Sequence, residues 1–424
     1  MGQMKRMRIG VVALLLVFVA AAHAAPKINV TCDRESGLYE SGETVVFAIE
    51  VSDEDAPIAD GTVQCRLTLD GVGDLGQSEV ALEAGKASVE ATLDEPGVVR
   101  LDVSYAEGDA KARGIGGAAF SPEGIESTDP PADFVEWWNA EKAALAEIPM
   151  DAQIALDEAR STEDVDVYEL SLANIAGSRV RGWFCRPKAE GKYPAILSVP
   201  GAGVSATGPA VYRGRDFLSV NISVHDQPIT ESKEFYTALS AQGGALQLYP
   251  HQGRESRDTY YYRRVFLSFV RCIDFMCAQA DWDGKNVIVN GSSQGGGSTL
   301  VAAGLDDRVT GAIANVPALC YHAGLFYGRA SGWPRLIPGA DAADIVATAG
   351  YYDAAHFAQS ITCPVVVTVG LVDRTCPPTS VYAAYNGIPS DDRKIVVYPT
   401  MGHAVPKDWG ALVNGLIEKS HIEP

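Results

Sequence analysis

The chain has 424 residues, of which 47% are hydrophobic and 21% are charged, so it can form two or three folded domains and is not disordered. Its formal net charge of −20 argues against a nucleic-acid-binding surface and disfavours contact with anionic membranes. A globular protein that acts on neutral molecules fits these values best.

Residues 1–24 have the pattern of a signal peptide. Basic side chains precede an apolar run over residues 9–22, and the segment ends in Ala-His-Ala, a small-x-small cleavage site. The run is short for a membrane span, and a retained membrane anchor is the alternative. We predict cleavage near Ala25, a secreted or periplasmic protein, and no stable membrane insertion.

Residues 25–121 alternate hydrophobic and polar side chains in short runs separated by turns. The predicted strands cover residues 44–51, 63–69, 87–93 and 98–103. Their spacing predicts an immunoglobulin-like β-sandwich, which either binds carbohydrate or serves as a spacer or packing module. No exposed aromatic platform is legible, which favours the second role. The Gly-, Ser- and Pro-containing segment 114–129 is the predicted boundary.

The eight cysteines do not have the spacing of metal ligands. Cys32 and Cys65 lie in the predicted sandwich and could form a disulfide in an exported protein. The chain has neither Cys-x-x-Cys nor a cluster of histidines and cysteines. We therefore predict that the protein uses no metal and no cofactor.

Residues 122–424 alternate predicted strands and helices, which indicates an α/β fold with a doubly wound, mainly parallel sheet. Asp129 is the predicted N-cap of a helix with Pro130 in its first turn. The clearest helix covers residues 264–280. The predicted strands cover residues 167–173, 179–186, 193–200, 217–224, 287–290, 310–316, 365–370 and 395–398.

The sequence Gly-Ser-Ser-Gln-Gly at residues 291–295 joins a β-branched run to a helix-like run. This is the setting of a nucleophile elbow, in which the central Ser293 is strained and the glycines avoid collisions with the neighbouring strand and helix. A bare Gly-x-Ser-x-Gly also occurs by chance in loops rich in glycine and serine. The strand–turn–helix setting favours Ser293 as a nucleophile.

A serine nucleophile needs a base, and the base needs an orienting carboxylate. In α/β-hydrolases these residues follow in the order Ser, acid, His, each on a loop after a strand. Asp373 follows the predicted strand 365–370, and His403 follows the strand 395–398. An ordinary turn aspartate and a solvated loop histidine are the alternatives. We predict that Ser293, Asp373 and His403 form a catalytic triad.

Acyl transfer also needs donors for the oxyanion. We predict the backbone amide of Gln294, which follows the nucleophile, and that of Ala202 in the Pro-Gly-Ala-Gly loop at residues 200–203. A plain tight turn is the alternative for this loop. His225 precedes the serine, the wrong order for a base, and is either a pocket-lining residue or a loop histidine.

Residues 318–358 lie where a cap would be inserted, between the serine and the acid. They include Tyr321, Phe326, Tyr327 and Trp333. The segment is equally compatible with a cap over the acyl pocket and with a purely structural insertion that fills the surface.

Five stretches of the chain carry a family resemblance. They are PPADFVEWW at residues 130–138, YYYRR at 260–264, GSSQGGG at 291–297, YYDAAHFA at 351–358 and VGLVDRTCPP at 369–378. Residues 129–404 thereby resemble the acetyl xylan esterase / cephalosporin C deacetylase family of carbohydrate esterases. The resemblance implies an α/β-hydrolase fold, metal-free removal of acetyl groups from sugars, and Ser293, Asp373 and His403 as the triad.

Three positions depart from the pattern of that family. Residues 200–202 read Pro-Gly-Ala where the family commonly has His-Gly-Tyr. Residues 225–227 read His-Asp-Gln in place of Arg-Gly-Gln, and Ala404 follows the triad histidine in place of glutamate. These departures leave the substrate open.

The sequence thus predicts a secreted serine esterase that removes acetyl groups from acetylated xylan or xylo-oligosaccharides through an acyl-enzyme intermediate. The expected partner is an acetylated carbohydrate, and the oligomeric state is not readable. One alternative is a peptidase or another carboxylester hydrolase on the same fold. The other is a non-catalytic carbohydrate-binding protein that uses its sandwich.

Overall fold

The structure is a computed structural model that describes residues 26–53, 56–58, 60–108 and 110–421. The predicted signal peptide at residues 1–24 lies outside the described residues. Within the described ranges, no helix is long and apolar enough to cross a membrane.

The first part of the described chain forms two β-sheets that share one core. Its strands are β1 (Lys27–Cys32), β2 (Leu38–Tyr39), β3 (Thr44–Asp53), β4 (Ala56–Pro57), β5 (Thr62–Leu69), β6 (Gly73–Ala81), β7 (Lys86–Thr92), β8 (Gly97–Glu107) and β9 (Ala110–Phe120). In one sheet β3 pairs with β1, β4 and β7, and the other has the order β2-β9-β8-β5-β6. Phe47 and Leu101 are among the buried side chains between the sheets. The arrangement is an immunoglobulin-like sandwich, and the four predicted strands are present.

The glycine-rich start of the segment 114–129 is part of β9 and not a linker. A Cβ on Gly116 would lie 2.6 Å from Val30, and one on Gly117 would lie 2.4 Å from the carbonyl oxygen of Leu371. These glycines are therefore explained by close packing on both faces of the strand. The division of the chain at residues 121–122, directly after β9, stays a proposal.

The disulfide between Cys32 and Cys65 is not formed, and all eight cysteines are free thiols. The Cys32 thiol donates a hydrogen bond to the carbonyl oxygen of Gly117, 3.2 Å away. Cys65 is buried on β5, in the opposite sheet. The pairing was predicted from position in the chain alone, and the Cys32 thiol bonds to the backbone of β9 instead.

The second part of the chain alternates strands and helices. Its strands are β10 (Gln153–Leu156), β11 (Val165–Ala173), β12 (Arg179–Pro187), β13 (Tyr193–Val199), β14 (Leu218–Ser223), β15 (Trp282–Ser292), β16 (Gly311–Asn315), β17 (Val365–Gly370) and β18 (Arg393–Tyr398). Its helices are α1 (Phe134–Ala146), α2 (Lys233–Ser240), α3 (Tyr262–Cys277), α4 (Gln294–Leu305), α5 (Ala343–Tyr351), α6 (Ala354–Ala358), α7 (Pro378–Asn386) and α8 (Trp409–His421).

These strands form one sheet of order β10-β11-β12-β14-β13-β15-β16-β17-β18. The pairs from β10 to β14 along this order are antiparallel, and the pairs from β14 to β18 are parallel. Ile196 and Ile288 pack with Leu416 of α8, whereas Leu197 and Val289 lie in the main core with α3. Helices therefore cover both faces, which confirms the predicted doubly wound, mainly parallel sheet.

The predicted start of the first helix is wrong. Helix α1 begins at Phe134, and the residue that precedes it is Asp133, not Asp129. The reason is local: Pro131 disfavours a helical conformation at Pro130, so the chain cannot enter a helix there. The amide of Phe134 instead bonds back to the carbonyl oxygen of Pro131 at 2.9 Å.

The sandwich packs against the loop that follows β17. The carbonyl group of Leu371 lies against Gly117 of β9, where a side chain would not fit. Three residues further on, Arg374 donates to a carboxylate oxygen of Asp102 on β8 at 3.2 Å. The two contacts flank Asp373, so the sandwich contacts the loop of a predicted catalytic residue and does not stand apart as a spacer.

A buried carboxylate lies at a second contact between the two parts. Asp70 is 3% exposed, and its Oδ2 accepts the amide of Ala330 at 2.7 Å. Its Oδ1 has no hydrogen-bond partner of normal geometry among the described residues, although Thr379 lies close enough to favour ionisation. Burial dominates and raises the pKa of Asp70 to about 6.

We expect Asp70 to make the stability of the protein depend on pH. Its folded-state pKa of about 6 lies above the unfolded value of about 4, so its contribution is complete below pH 4 and is lost as the pH rises through 6. This difference in pKa corresponds to about 2–3 kcal/mol in the free energy of unfolding. Thermal unfolding of wild type and Asp70→Asn at pH 4.5 and 7.5 should show the variant gaining stability relative to wild type at the higher pH. A difference that does not change with pH would contradict this prediction.

Candidate active site

Ser293 lies at a sharp turn between β15 and α4. Its φ of 60° and ψ of −119° are conformations that residues with a side chain seldom adopt. A Cβ on Gly291 would lie 2.5 Å from the carbonyl group of Gly295, and one on Gly295 would lie 2.2 Å from the carbonyl oxygen of Val199. Both close approaches require glycine, which is the physical reason for the Gly-x-Ser-x-Gly spacing.

The structure brings Ser293, His403 and Asp373 together at one edge of the sheet. His403 Nε2 lies 2.9 Å from Ser293 Oγ, and His403 Nδ1 lies 2.8 Å from Asp373 Oδ2. The Asp373 side chain is fully buried, whereas that of His403 is 30% exposed. This geometry allows His403 to accept the hydroxyl proton of Ser293 while Asp373 orients the ring.

The backbone after β17 holds the Asp373 carboxylate in place. Its Oδ1 accepts the amides of Thr375 and Cys376 at 2.8 and 3.0 Å, which leaves Oδ2 for His403. The buried thiol of Cys376 lies beside Ser293, and burial raises the pKa of this thiol well above its usual range. Cys376 is therefore a neutral neighbour of the hydroxyl group and not a competing nucleophile.

Asp373, Cys376 and His403 also bring potential metal-ligand atoms within 4.8 Å of one another. Asp373 and His403 are already hydrogen-bonded to each other, so a metal bound here would have to break the pair that orients the imidazole. The grouping is thus better explained by proton transfer than by metal binding.

The two predicted oxyanion donors lie beyond the carboxyl ends of two neighbouring strands, β15 and β13. Gln294 is the first residue of α4, where the helix dipole favours negative charge. Ala202 is exposed in the loop after β13, the strand that lies beside β15. A Cβ on Gly295 would lie 3.0 Å from the carbonyl oxygen of Pro200, so the loop touches the serine elbow.

A buried polar network lies behind the loop of residues 200–203. His225 Nε2 donates to the carbonyl oxygen of Gly203 at 2.8 Å, so His225 Nδ1 accepts the hydroxyl of Tyr261 at 2.6 Å. The Tyr249 hydroxyl accepts the amide of Gly203 at 3.3 Å and donates to the side-chain oxygen of Gln294 at 2.6 Å. The network therefore ties the loop to the residue after the nucleophile.

His225 lies in the loop after β14, as the loop-histidine interpretation expected, but it is buried there and not solvated. The residue is 4% exposed, and burial lowers its pKa to about 4. A neutral ring has one donor and one acceptor nitrogen, which matches the carbonyl oxygen on one side and the tyrosine hydroxyl on the other. We therefore predict that His225 positions the loop of residues 200–203 and takes no part in the proton transfer.

We expect His225→Ala to lower kcat for a small acetate ester about 10- to 100-fold with little change in KM. The loop of residues 200–203 would lose the hydrogen bond from His225 to Gly203, so the amide of Ala202 would be poorly placed for the oxyanion. Because oxyanion donors act mainly in the transition state, the loss should appear in kcat. His225→Gln, which can still donate a hydrogen bond, should recover part of kcat. Equal losses in both variants, or a change in KM alone, would contradict a positioning role.

Sequence reasoning missed Asn315, a fully buried residue at the end of β16. Its side-chain amide donates to Ser292 Oγ at 2.6 Å and to the carbonyl oxygen of Ala404 at 3.2 Å, and its side-chain oxygen accepts from Thr368 at 2.5 Å. Its own carbonyl oxygen accepts the amide of Ser293 at 2.9 Å. Asn315 therefore links the turn at Ser293 to the loop that carries His403. The sequence feature that could have indicated this role is an asparagine at the end of an apolar run.

The segment 318–358 is anchored in the main core. Leu319 is buried, and the amide of Trp333 bonds to the carbonyl oxygen of Thr375 in the acid loop at 3.2 Å. Phe326 and Tyr327 are exposed, at 41% and 62%. The segment thus combines a fixed base with an apolar surface, and its function as a cap stays a prediction.

Residues 125–412 match the model of the acetyl xylan esterase (AXE1) family, which is well over half of the chain. The chain belongs to the acetyl xylan esterase family. This chain is 34% identical over 330 residues to the acetyl esterase Axe7A of Xylanibacter ruminicola. The aligned region covers 75% of this chain and 74% of Axe7A. The resemblance identified from the sequence is therefore confirmed.

Solved structures of the family share the fold. The acetyl xylan esterase from Paenibacillus sp. R4 has 26% identity and a TM-score of 0.61, covering 70% of this chain and 98% of that one. Acetyl xylan esterase 1 from Thermoanaerobacterium sp. JW/SL YS485 has 25% identity and a TM-score of 0.61, covering 71% and 98%. The family match begins at residue 125, so in this family member the sandwich precedes the matched region.

Proposed function

We propose that the protein is an exported serine esterase that removes acetyl groups from acetylated xylan or xylo-oligosaccharides. The observation that carries this proposal is the hydrogen-bonded series Ser293, His403 and Asp373 in a chain of the acetyl xylan esterase family. The names of the relatives support an acetyl ester as the substrate. Export rests on the signal-peptide pattern of residues 1–24.

In the proposed mechanism, Ser293 Oγ attacks the acetyl carbonyl carbon while His403 Nε2 takes the hydroxyl proton. Asp373 holds the Nδ1 proton and stabilises the charged imidazole. The amides of Gln294 and Ala202 donate to the oxyanion. The oxyanion then collapses, the sugar oxygen leaves with the proton from His403, and an acetyl-Ser293 ester remains. Water activated by His403 hydrolyses this ester and releases acetate.

Acetate release from acetylated xylan and from acetylated xylo-oligosaccharides by the mature protein tests this proposal. We expect release from both, together with hydrolysis of a small activated acetate ester. Cleavage of the small ester without release from xylan would retain the esterase and overturn the substrate. Cleavage of peptide amides but not of acetyl esters would indicate a peptidase, and sugar binding without any hydrolysis would indicate a binding protein.

A further inference from the structure

A cleft lined by arginines lies on the outer face of the five-stranded sheet of the sandwich. Its volume is about 510 Å³, and Arg66, Arg100, Arg113 and Arg374 line it with one carboxylate, Asp102. We propose that this cleft binds carboxylate-bearing sugar residues, such as uronate branches of a polysaccharide. The relation to xylan rests on the proposed function, whereas the anion site itself does not.

The strand register explains why these side chains converge. Arg66 on β5 lies opposite Asp102 on β8, and Ser104 on β8 lies opposite Arg113 on β9. The alternate residues, such as Val103, point into the sandwich core and are buried. Arg66, Arg100 and Arg113 therefore share the outward face of three neighbouring strands. Arg374 reaches the cleft from the loop after β17.

One carboxylate serves two of the four cations. Asp102 bonds to Arg100 at 2.9 Å and to Arg374 at 3.2 Å. Because a single negative charge lies between two guanidinium groups, this part of the cleft keeps a positive charge. Such a concentration is unexpected on a chain with 54 acidic and 34 basic residues, and it attracts anions.

The other two arginines are still less neutralised. Arg66 lies 3.4 Å from Asp74, but both side chains are at least half exposed, so this pair is weak. Within the described part of the chain, Arg113 has no carboxylate partner. Its planar guanidinium group can bind a carboxylate through two parallel hydrogen bonds.

The remaining polar groups of the cleft favour a sugar over a simple ion. Gln77 and Ser104 line the same space as Gln64, whose side-chain amide already donates to Glu79, and amide and hydroxyl groups suit the hydroxyls of a pyranose ring. Arg374 lies next to Asp373 in the chain. A branch bound in the cleft would therefore hold its polysaccharide beside the catalytic loop.

Isothermal titration of the mature protein with deacetylated xylo-oligosaccharides tests the site without turnover. A glucuronate-substituted oligosaccharide should bind at least about tenfold more tightly than the neutral one of the same length, and less tightly at high salt. Arg113→Gln and Arg66→Gln should each remove most of this preference. Arg215→Gln, at an exposed arginine of the second part, is the matched control and should preserve it.

Hydrolysis of a small acetate ester should be unchanged in all three variants, since none touches the triad. Equal affinity for the charged and neutral oligosaccharides, or a preference that survives Arg113→Gln, would overturn the proposal. Binding of inorganic phosphate without binding of the uronate would overturn the sugar assignment. A wild-type protein that binds the uronate but releases no acetate would contradict the proposed function alone.

Discussion

Ser293→Ala is expected to lower kcat for acetate-ester hydrolysis by about 10⁶-fold. The remaining rate is that which substrate binding and the oxyanion donors provide without a nucleophile. The Oγ atom that lies 2.9 Å from His403 Nε2 is the only part of the residue that is lost. Initial rates on a small activated acetate ester measure the effect. Residual activity above about 1% of wild type would mean that another group attacks the ester.

A second substitution at the same position separates chemistry from folding. Ser293→Gly should be equally inactive, but it should unfold at a higher temperature than Ser293→Ala. Glycine adopts a φ of 60° and ψ of −119° without the strain that a side chain brings, which amounts to about 1–3 kcal/mol. Equal unfolding temperatures would show that the elbow is not strained in solution.

Asp373→Asn should lower kcat by about 10⁴-fold while the protein stays folded. The asparagine oxygen can still accept the amides of Thr375 and Cys376, which turns its NH₂ group towards His403 Nδ1. His403 would then carry its proton on Nε2 and could not accept the proton of Ser293. Steady-state kinetics and a thermal unfolding curve measure both parts of this prediction.

Asp74→Asn provides the matched control for Asp373→Asn, because Asp74 is exposed on the sandwich. It should leave both kcat and the unfolding temperature close to those of wild type. If Asp373→Asn retained more than about a tenth of the wild-type kcat, Asp373 would not be the residue that selects the tautomer of His403.

The positions of the three proposed catalytic residues could be predicted because they follow from strand order. Ser293, Asp373 and His403 each come after a short apolar strand, and parallel neighbours place those loops at one edge of the sheet. The sandwich was predictable for a related reason, since alternating side chains mark strands with one buried face.

Apart from the start of α1, which a local proline effect decides, the predictions failed where long-range packing decides local structure. Gly116 and Gly117 look like linker residues, yet they continue β9 because Val30 and Leu371 lie against them. The network around His225 was also missed, since its partners Gly203 and Tyr261 lie 22 and 36 residues away. No periodic pattern encodes such pairs.

The sandwich contributes more to the molecule than its sequence indicates. It packs on Leu371 and bonds Arg374, and these two residues flank the proposed catalytic acid. Two interpretations were left open for this domain: carbohydrate binding, and a spacer or packing module. The contacts agree with packing, and the arginine-lined cleft is a proposed binding surface that does not need aromatic side chains.

Covalent labelling of the mature protein with an organophosphate tests the central claim most directly. We predict one adduct per chain, mapped to Ser293 by peptide mass spectrometry, with loss of acetate release from acetylated xylan in proportion to labelling. Acetylated xylo-oligosaccharide should slow the labelling. An adduct on another residue, or full acetate release from fully labelled protein, would contradict the assignment of Ser293 as the nucleophile.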